Sequence, residues 1–315
     1  MLENFIFSLN AVMPLFIMII LGFVLTRAGF LTNDFIAVGN KFVFYVFLPV
    51  SLFGSVFHTD TGDFLDIPFI AFAVGASFVA FVVIWVVSAF FIKDKSILGA
   101  FANGGFRGNL AFLGIPLLVN ITGDAGMARA ALLITFVLPL YNICSVLLLA
   151  TCSESDKKIG IRTIAFTIIK NPLIIGVIVG VVLSLVGLRL PYIASRTVDY
   201  TASMATPMAL ICLGGGIRFH GFDKKFKFAL IASFVKVAVL PIIFVSAAYF
   251  LGFRDVDLAA FLVLGGVPSA IAGYVMVVQM GGDGYTAGTI VVLSTLLSAV
   301  SLTVFIYIMR VLGLL

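Results

Sequence analysis

The polar residues best suited to hold a ligand lie inside apolar sequence. Residues 101–120, FANGGFRGNLAFLGIPLLVN, carry Asn103, Arg107 and Asn109 among Gly104, Gly105, Gly108 and Gly114. An Asn amide can donate to a carboxylate or offer its oxygen to a cation. An arginine within hydrocarbon is costly and is a functional candidate for that reason. Lys236, in IASFVKVAVLP, is a second base of the same kind. Each lies about ten residues into its apolar segment, near mid-depth at about 1.5 Å per helical residue. Ser269, Tyr274 and Gln279 follow Pro268 in a third segment. None of the fourteen Asp and Glu falls in the middle of an apolar segment, whereas a proton or sodium antiporter normally needs a buried carboxylate there. Cations and amides without carboxylates point to an anion. The structural alternative for each base is that it snorkels or caps a broken helix end.

Backbone breaks would add donors to this set. Gly114-Ile115-Pro116 is matched by Gly266-Val267-Pro268, Pro49 by Pro207, and Gly123-Asp124 by Gly282-Asp283. The offsets are roughly 150–160 residues, half the chain, which is the mark of an internal repeat. Each half holds five apolar segments, and an odd number inverts the second half. Inverted repeats in transporters place the ligand near the midplane, between discontinuous helices. Proline removes a helix hydrogen bond and clashes with the preceding turn, so breaks are expected at Pro116 and Pro268. A helix restarted after a break presents free N–H groups and the positive end of its dipole. A simple kink is the plainer reading of any single proline.

The elements that hold these residues follow from composition. Apolar residues are 62% of 315 and charged residues 10%, and mean hydropathy is +1.25. A soluble domain carries about 25% charged residues, so lipid must cover this chain. Unbroken apolar runs such as LIIGVIVGVVLSLVG exclude the alternation of a membrane barrel and leave helices. About ten spans are expected, near 5–26, 34–57, 67–92, 97–120, 127–151, 162–187, 192–218, 227–251, 257–280 and 286–313. The division is a five-helix repeat at 1–152, a linker at 153–161 and an inverted repeat at 162–315.

Arg27, Lys93, Lys95, Lys157, Lys158, Arg162, Arg218, Lys224, Lys225 and Lys227 fall in one set of alternate loops. Arg129, Arg189, Arg196, Arg254 and the acids Asp60, Asp63 and Asp66 fall in the other. The basic set is expected to be cytoplasmic, with both termini outside and the chain multi-pass in the cell membrane. The net charge of +5 sets topology and is no sign of nucleic-acid binding. Cys144, Cys152, Cys212, His58 and His220 have no metal spacing, and no cofactor is expected.

Several motifs carry a family likeness. They are Asn40-Lys41-Phe42-Val43 leading to Pro49, Asn109 through Gly114-Ile115-Pro116, Asn171-Pro172-Leu173, Ala205-Thr206-Pro207-Met208-Ala209-Leu210 and Val267-Pro268-Ser269-Ala270. In this order the chain resembles the auxin efflux carrier family, which includes plant PIN-FORMED carriers and many bacterial transporters. The resemblance implies two inverted five-helix repeats whose fourth and ninth spans unwind and cross. It implies a scaffold and homodimer face from spans one, two, six and seven, with the remaining spans moving as an elevator. It implies an anion substrate such as auxin, malate or malonate, and makes Asn109 the first carboxylate ligand. Gly273 stands where the plant carriers have a second proline, and their long cytoplasmic loop is absent, so a small carboxylate fits better than an indole acid.

The expected function is secondary transport of a small-molecule carboxylate in a lipid bilayer, with proton or sodium coupling open. Its site is Asn109, Asn103, Arg107, Pro116, Pro268, Ser269, Tyr274, Gln279 and Lys236. A sodium-coupled symporter of the bile-acid carrier type is the alternative; Asn103, Asn109 and Gln279 would be its oxygen ligands. An intramembrane enzyme needs a convergent nucleophile and base or a metal, and the spans hold no such motif. Cys144 and Cys212 read as packing residues.

Overall fold

The computed structural model describes residues 2–57, 66–152, 172–188, 190–217 and 225–315. The linker at 153–161, the start of the sixth span, Asn171, the two histidines and the loop residues Asp60, Asp63, Lys157, Lys158, Arg162, Arg189, Arg218 and Lys224 lie outside it, as does the side chain of Gln279.

The described chain is helical throughout, with one isolated backbone bridge. Span one is α1 (Leu2–Arg27). Span two is α2 (Asn33–Phe42), a π-helical turn (Val43–Phe47) and α3 (Leu48–Phe57). Span three is α4 (Ile67–Phe91). Span four is α5 (Lys95–Phe106), then a π turn (Leu110–Gly114) running into α6 (Ile115–Thr122). Span five is α7 (Asp124–Cys152). Next come α8 (Pro172–Leu185), and α9 (Tyr192–Ser203) with α10 (Ala205–Gly215). Span eight is α11 (Phe226–Phe234), a π turn (Val235–Val239) and α12 (Leu240–Phe250). Span nine is α13 (Asp255–Gly266) and α14 (Ile271–Gln279), and α15 (Gly284–Val311) ends the bundle. Six described stretches are long and apolar enough to cross a membrane, which bears out the expectation of a polytopic helical membrane protein.

Acids mark where helices begin. The carboxylates of Asp66, Asp94 and Asp283 accept N–H bonds from Phe69, Ser96 and Thr286, and the Thr32 hydroxyl accepts one from Phe35. Each supplies an acceptor to a first turn that has none of its own.

Three prolines sit behind π turns. Pro49, Pro116 and Pro241 each follow, by two residues, the last residue of the turns ending at Phe47, Gly114 and Val239. Proline cannot donate to the fourth residue before it, and its ring crowds that carbonyl. Widening the preceding turn makes room without ending the helix. Pro116 therefore does not break span four, contrary to expectation. The break lies at Arg107–Asn109, where the backbone leaves the helix.

Packing falls into two groups. In one, α1 lies along α10, α3 along α8, and α2 also meets α10. In the other, α4, α5 and α7 pack together, α5 and α11 pack on α15, and α12 on α13. The groups are joined by a contact of α1 with α15 as extensive as those within the second group, and by contacts of α1 with α6, α3 and α8 with α7, and α10 with the Leu110 turn. Small residues permit the closest approach: a Cβ added to Gly22 or Gly214 would collide with the backbone of Ile211 or Ile19. In lipid, such contacts are a main source of helix association.

Ion pairs clamp both ends of the second group. Arg129 at the start of α7 binds Asp66 (2.9 Å) and Asp257 (2.6 Å) and lies over the Phe69 ring. At the other end Lys225 pairs with Asp283, whose N–H donates to the Ser96 carbonyl. Partial burial pushes the Asp283 carboxyl up, but Lys225 and the Thr286 N–H outweigh it and hold it below its ordinary value.

Gly214→Val is expected to destabilise the purified protein by the roughly 1–3 kcal/mol that overpacking costs. Gly75→Ala should not, because nothing lies within 4 Å of the added atom; thermal unfolding in detergent compares them. A carboxyl held below its unfolded value stabilises above that value and loses this as pH falls through the folded one. Asp283→Asn is thus expected to flatten the acid side of the stability profile and to lower stability at neutral pH. An unaltered profile would leave the Lys225 pair without a stabilising role.

Candidate functional site

The two breaks meet. Gly108 and Ser269 form an antiparallel bridge: the Asn109 N–H donates to the Pro268 carbonyl (2.8 Å) and the Ala270 N–H to the Arg107 carbonyl (3.2 Å). Two segments interrupted at mid-depth thus satisfy each other. The fit is close, since a Cβ at Gly108 would lie 2.8 Å from Val267 Cγ2 and 3.2 Å from Lys236 Nζ.

Four helix ends converge on this crossing. The ends of α5 and α13 point carbonyls inward, and the starts of the Leu110 turn and of α14 point N–H groups inward. Lys236 is fully buried, and its ammonium donates to the carbonyls of Leu264 (3.3 Å) and Gly265 (2.5 Å). It caps the negative end of α13, the structural role the sequence left open for it. The starting ends are less fully used. Asn109 Oδ1 accepts from the Phe112 N–H (3.3 Å), while Leu110 and Ala111, like Ile271 and Ala272, are first-turn residues with no acceptor in their own helix.

Arg107 is 4% exposed, and all its partners are neutral. Its guanidinium donates to Asn142 Oδ1 (2.7 Å), Ser145 Oγ (3.0 Å), Met276 Sδ (3.2 Å) and the Tyr141 carbonyl (3.5 Å), and Nε is unpartnered. Among the described residues neither Arg107 nor Lys236 makes an ion pair. A buried charge is strongly unfavourable without a partner, and arginine does not escape by losing its proton.

A cavity of about 450 Å³ opens against this cation. Arg107, Gly108, Asn109 and the first residues of both restarted helices form one wall. Asn40, Lys41, Phe44 and Tyr45 from span two and Leu213 from α10 form another, with Leu138, Asn142 and Met276 completing it. Asn142, Leu213 and Met276 lie nearer the ends of their spans on the side of Lys95 and Lys225, so the cavity lies toward that side.

Of the residues singled out in the sequence, Arg107 and Asn109 line the cavity. Asn103 lies one turn before Arg107; its Nδ2 donates to the Gly273 carbonyl (3.1 Å) and its buried Oδ1 has no partner. Pro268 and Ser269 form the crossing, where the Ser294 hydroxyl receives the Ser269 N–H (3.0 Å). Tyr274 packs behind it with Ala100, Leu149, Val277 and Ala287. Pro116 is buried beyond the cavity wall in α6, with its π turn between it and the break. The sequence named Asn40 and Lys41 only within a family motif and gave no place in the site to Asn142 or Ser145. Asn142 and Ser145 stand three apart on an apolar helix, one polar face, and that spacing was the available signal.

The chain matches the family described as membrane transport protein over residues 7–306. It belongs to that family, the auxin efflux carriers. This transporter is 24% identical over 305 residues to an uncharacterised transporter of Methanothermobacter thermautotrophicus, covering 95% of this chain and 97% of that one. It is 25% identical over 309 residues to a Rhizobium meliloti protein provisionally named a malonate transporter, covering 95% of each. A Methanocaldococcus jannaschii transporter is 24% identical over 283 residues, 85% of this chain and 88% of that one.

Lys236→Met is expected to lower stability by about 1–3 kcal/mol, the cost of leaving buried carbonyls unpaired, in thermal unfolding of the transporter in detergent. Unchanged or raised stability would remove Lys236 as the cap of α13.

Proposed function

We propose that this family member is a secondary transporter of a small organic anion whose carboxylate binds at the crossing. One observation carries the reading: Arg107 is buried, has only neutral partners, and lines a 450 Å³ cavity. Two restarted helices begin on the same wall, adding N–H donors and positive dipole ends. Asn109 offers its Nδ2, which has no protein partner among the described residues. An anion entering here supplies the counter-charge the fold lacks. The relative named for malonate transport agrees with a carboxylate.

The packing groups support elevator-type alternation. The crossing, with α5, α11, α13 and α15, belongs to one group, while span two and α10 belong to the other. In this reading the chain is two inverted repeats in a cell membrane. The basic loops are cytoplasmic, both termini are outside, and two copies pair through the scaffold. The cavity then faces the cytoplasm. A sodium-coupled variant draws on one specific feature, the unpartnered, 1% exposed Asn103 amide oxygen beside the carbonyl end of α5.

Purified protein in liposomes, perfused with mono- and dicarboxylates with and without sodium on a solid-supported membrane, tests the reading. A carboxylate current is expected. Asn109→Ala should weaken half-saturation roughly tenfold or more, as loss of a hydrogen bond to a charged group does. Arg107→Gln should abolish transport while the folded protein still elutes as one species. Full transport by Arg107→Gln would overturn the anion site, and sodium dependence would select the symporter variant.

A further inference from the structure

The cavity has a second cation that the reading above does not use. Lys41 lines it, is exposed, and makes no ion pair among the described residues. It stands on the wall opposite the crossing, eight residues along span two from Asn33, while Arg107 is twelve residues along span four from Lys95. Both helices start from the same side, so the two positions differ in depth by roughly 6 Å at 1.5 Å per residue, and the cavity's width adds to their separation. The rest of the lining is mostly apolar, with Phe44, Phe112, Leu138, Leu213 and Ile271 alongside the polar Asn40, Tyr45 and Asn142.

A short diacid such as malonate, with both carboxylates on one carbon, would satisfy Arg107 and leave Lys41 and the apolar walls to water. The cavity of about 450 Å³ is more than so small an ion fills. Two cations in one mostly apolar cavity are instead complementary to a chain of methylenes between two charged ends.

Resting on the anion reading of this site, we infer that the transporter's preferred substrate is a linear dicarboxylate with an apolar spacer. One carboxylate binds at Arg107 and Asn109, and the other at Lys41, which is the specificity-determining residue. The inner carboxylate is recognised in any organic acid. The outer one distinguishes diacids from monoacids of equal length.

The test is ligand-dependent thermal stabilisation of the purified full-length protein, which reads binding whether or not transport carries current. The probes are malonate, adipate and suberate, with hexanoate and octanoate as monoacids of matched length. Adipate or suberate is expected to bind at least tenfold more tightly than malonate and than its monoacid. Lys41→Gln should bring the diacid-to-monoacid ratio close to one, and Lys41→Arg should restore most of it. Tightest binding by malonate, monoacids equal to diacids in the wild type, or an undiminished ratio in Lys41→Gln would each overturn the dicarboxylate assignment and leave the anion site standing. No stabilisation by any carboxylate, in protein that unfolds cooperatively, would overturn the anion site itself.

Discussion

The structure depends on the rule that backbone polar groups surrounded by hydrocarbon must find partners within the protein. A span that breaks at mid-depth exposes up to four carbonyls at the end that stops and up to four N–H groups at the end that restarts. One break alone would be costly. Two breaks laid across each other share the cost, because Asn109 donates to Pro268 and Ala270 to Arg107. What the bridge leaves over is divided by sign. The carbonyl end of α13 takes the Lys236 ammonium, and the N–H ends of the Leu110 turn and of α14 face the cavity. The polarity of the site is a consequence of which helix ends the protein caps and which it leaves for a ligand.

Prolines serve this arrangement differently in different spans. At Pro268 the carbonyl is an acceptor in the crossing itself. At Pro49, Pro116 and Pro241 the preceding π turn absorbs the ring and the helix continues. A π turn shifts the facing of all that follows it by part of a turn. In span eight the turn contains Lys236, so the same distortion that tolerates Pro241 coincides with the side chain that reaches α13. Local strain and the placement of a key cation are one feature of the backbone.

This division explains what was legible in the sequence. The spans were, because twenty apolar residues in lipid have one economical conformation. That spans four and nine are interrupted was legible from glycine and proline. The position of the span-four break was not: nothing local distinguishes a proline that ends a helix from one accommodated by a wider turn, and the break moved back to Arg107–Asn109. Arg107 and Asn109 were legible because a charge and an amide in apolar sequence need a reason. Lys41 was legible only as part of a family motif, since early in span two a lysine reads as an interfacial charge; only the placement of α10 and the crossing makes a cavity wall there. Asn142 and Ser145 take their meaning from Arg107, a contact across sequence that no single-span pattern contains.

The cavity's position bears on how binding couples to motion. A ligand drives a conformational equilibrium only by the difference in its affinity for the two states. If it touched the crossing alone, it would travel with that group and favour neither position. Here one wall belongs to the crossing and the other to span two and α10, which pack mainly on α1 and α8 and touch the crossing's group through α7 and the Leu110 turn. In the proposed elevator motion, an anion held on one side by Arg107 and the restarted helices and on the other by residues of span two would have contacts that change as the groups slide. The bridge between Gly108 and Ser269 holds the two breaks together, and Lys236 ties α13 to span eight. In that motion the crossing would be the rigid half of the site and the seam with span two the variable half. Charge neutralisation at Arg107 would determine whether an anion binds, and contacts across the seam would determine which position the bound state prefers.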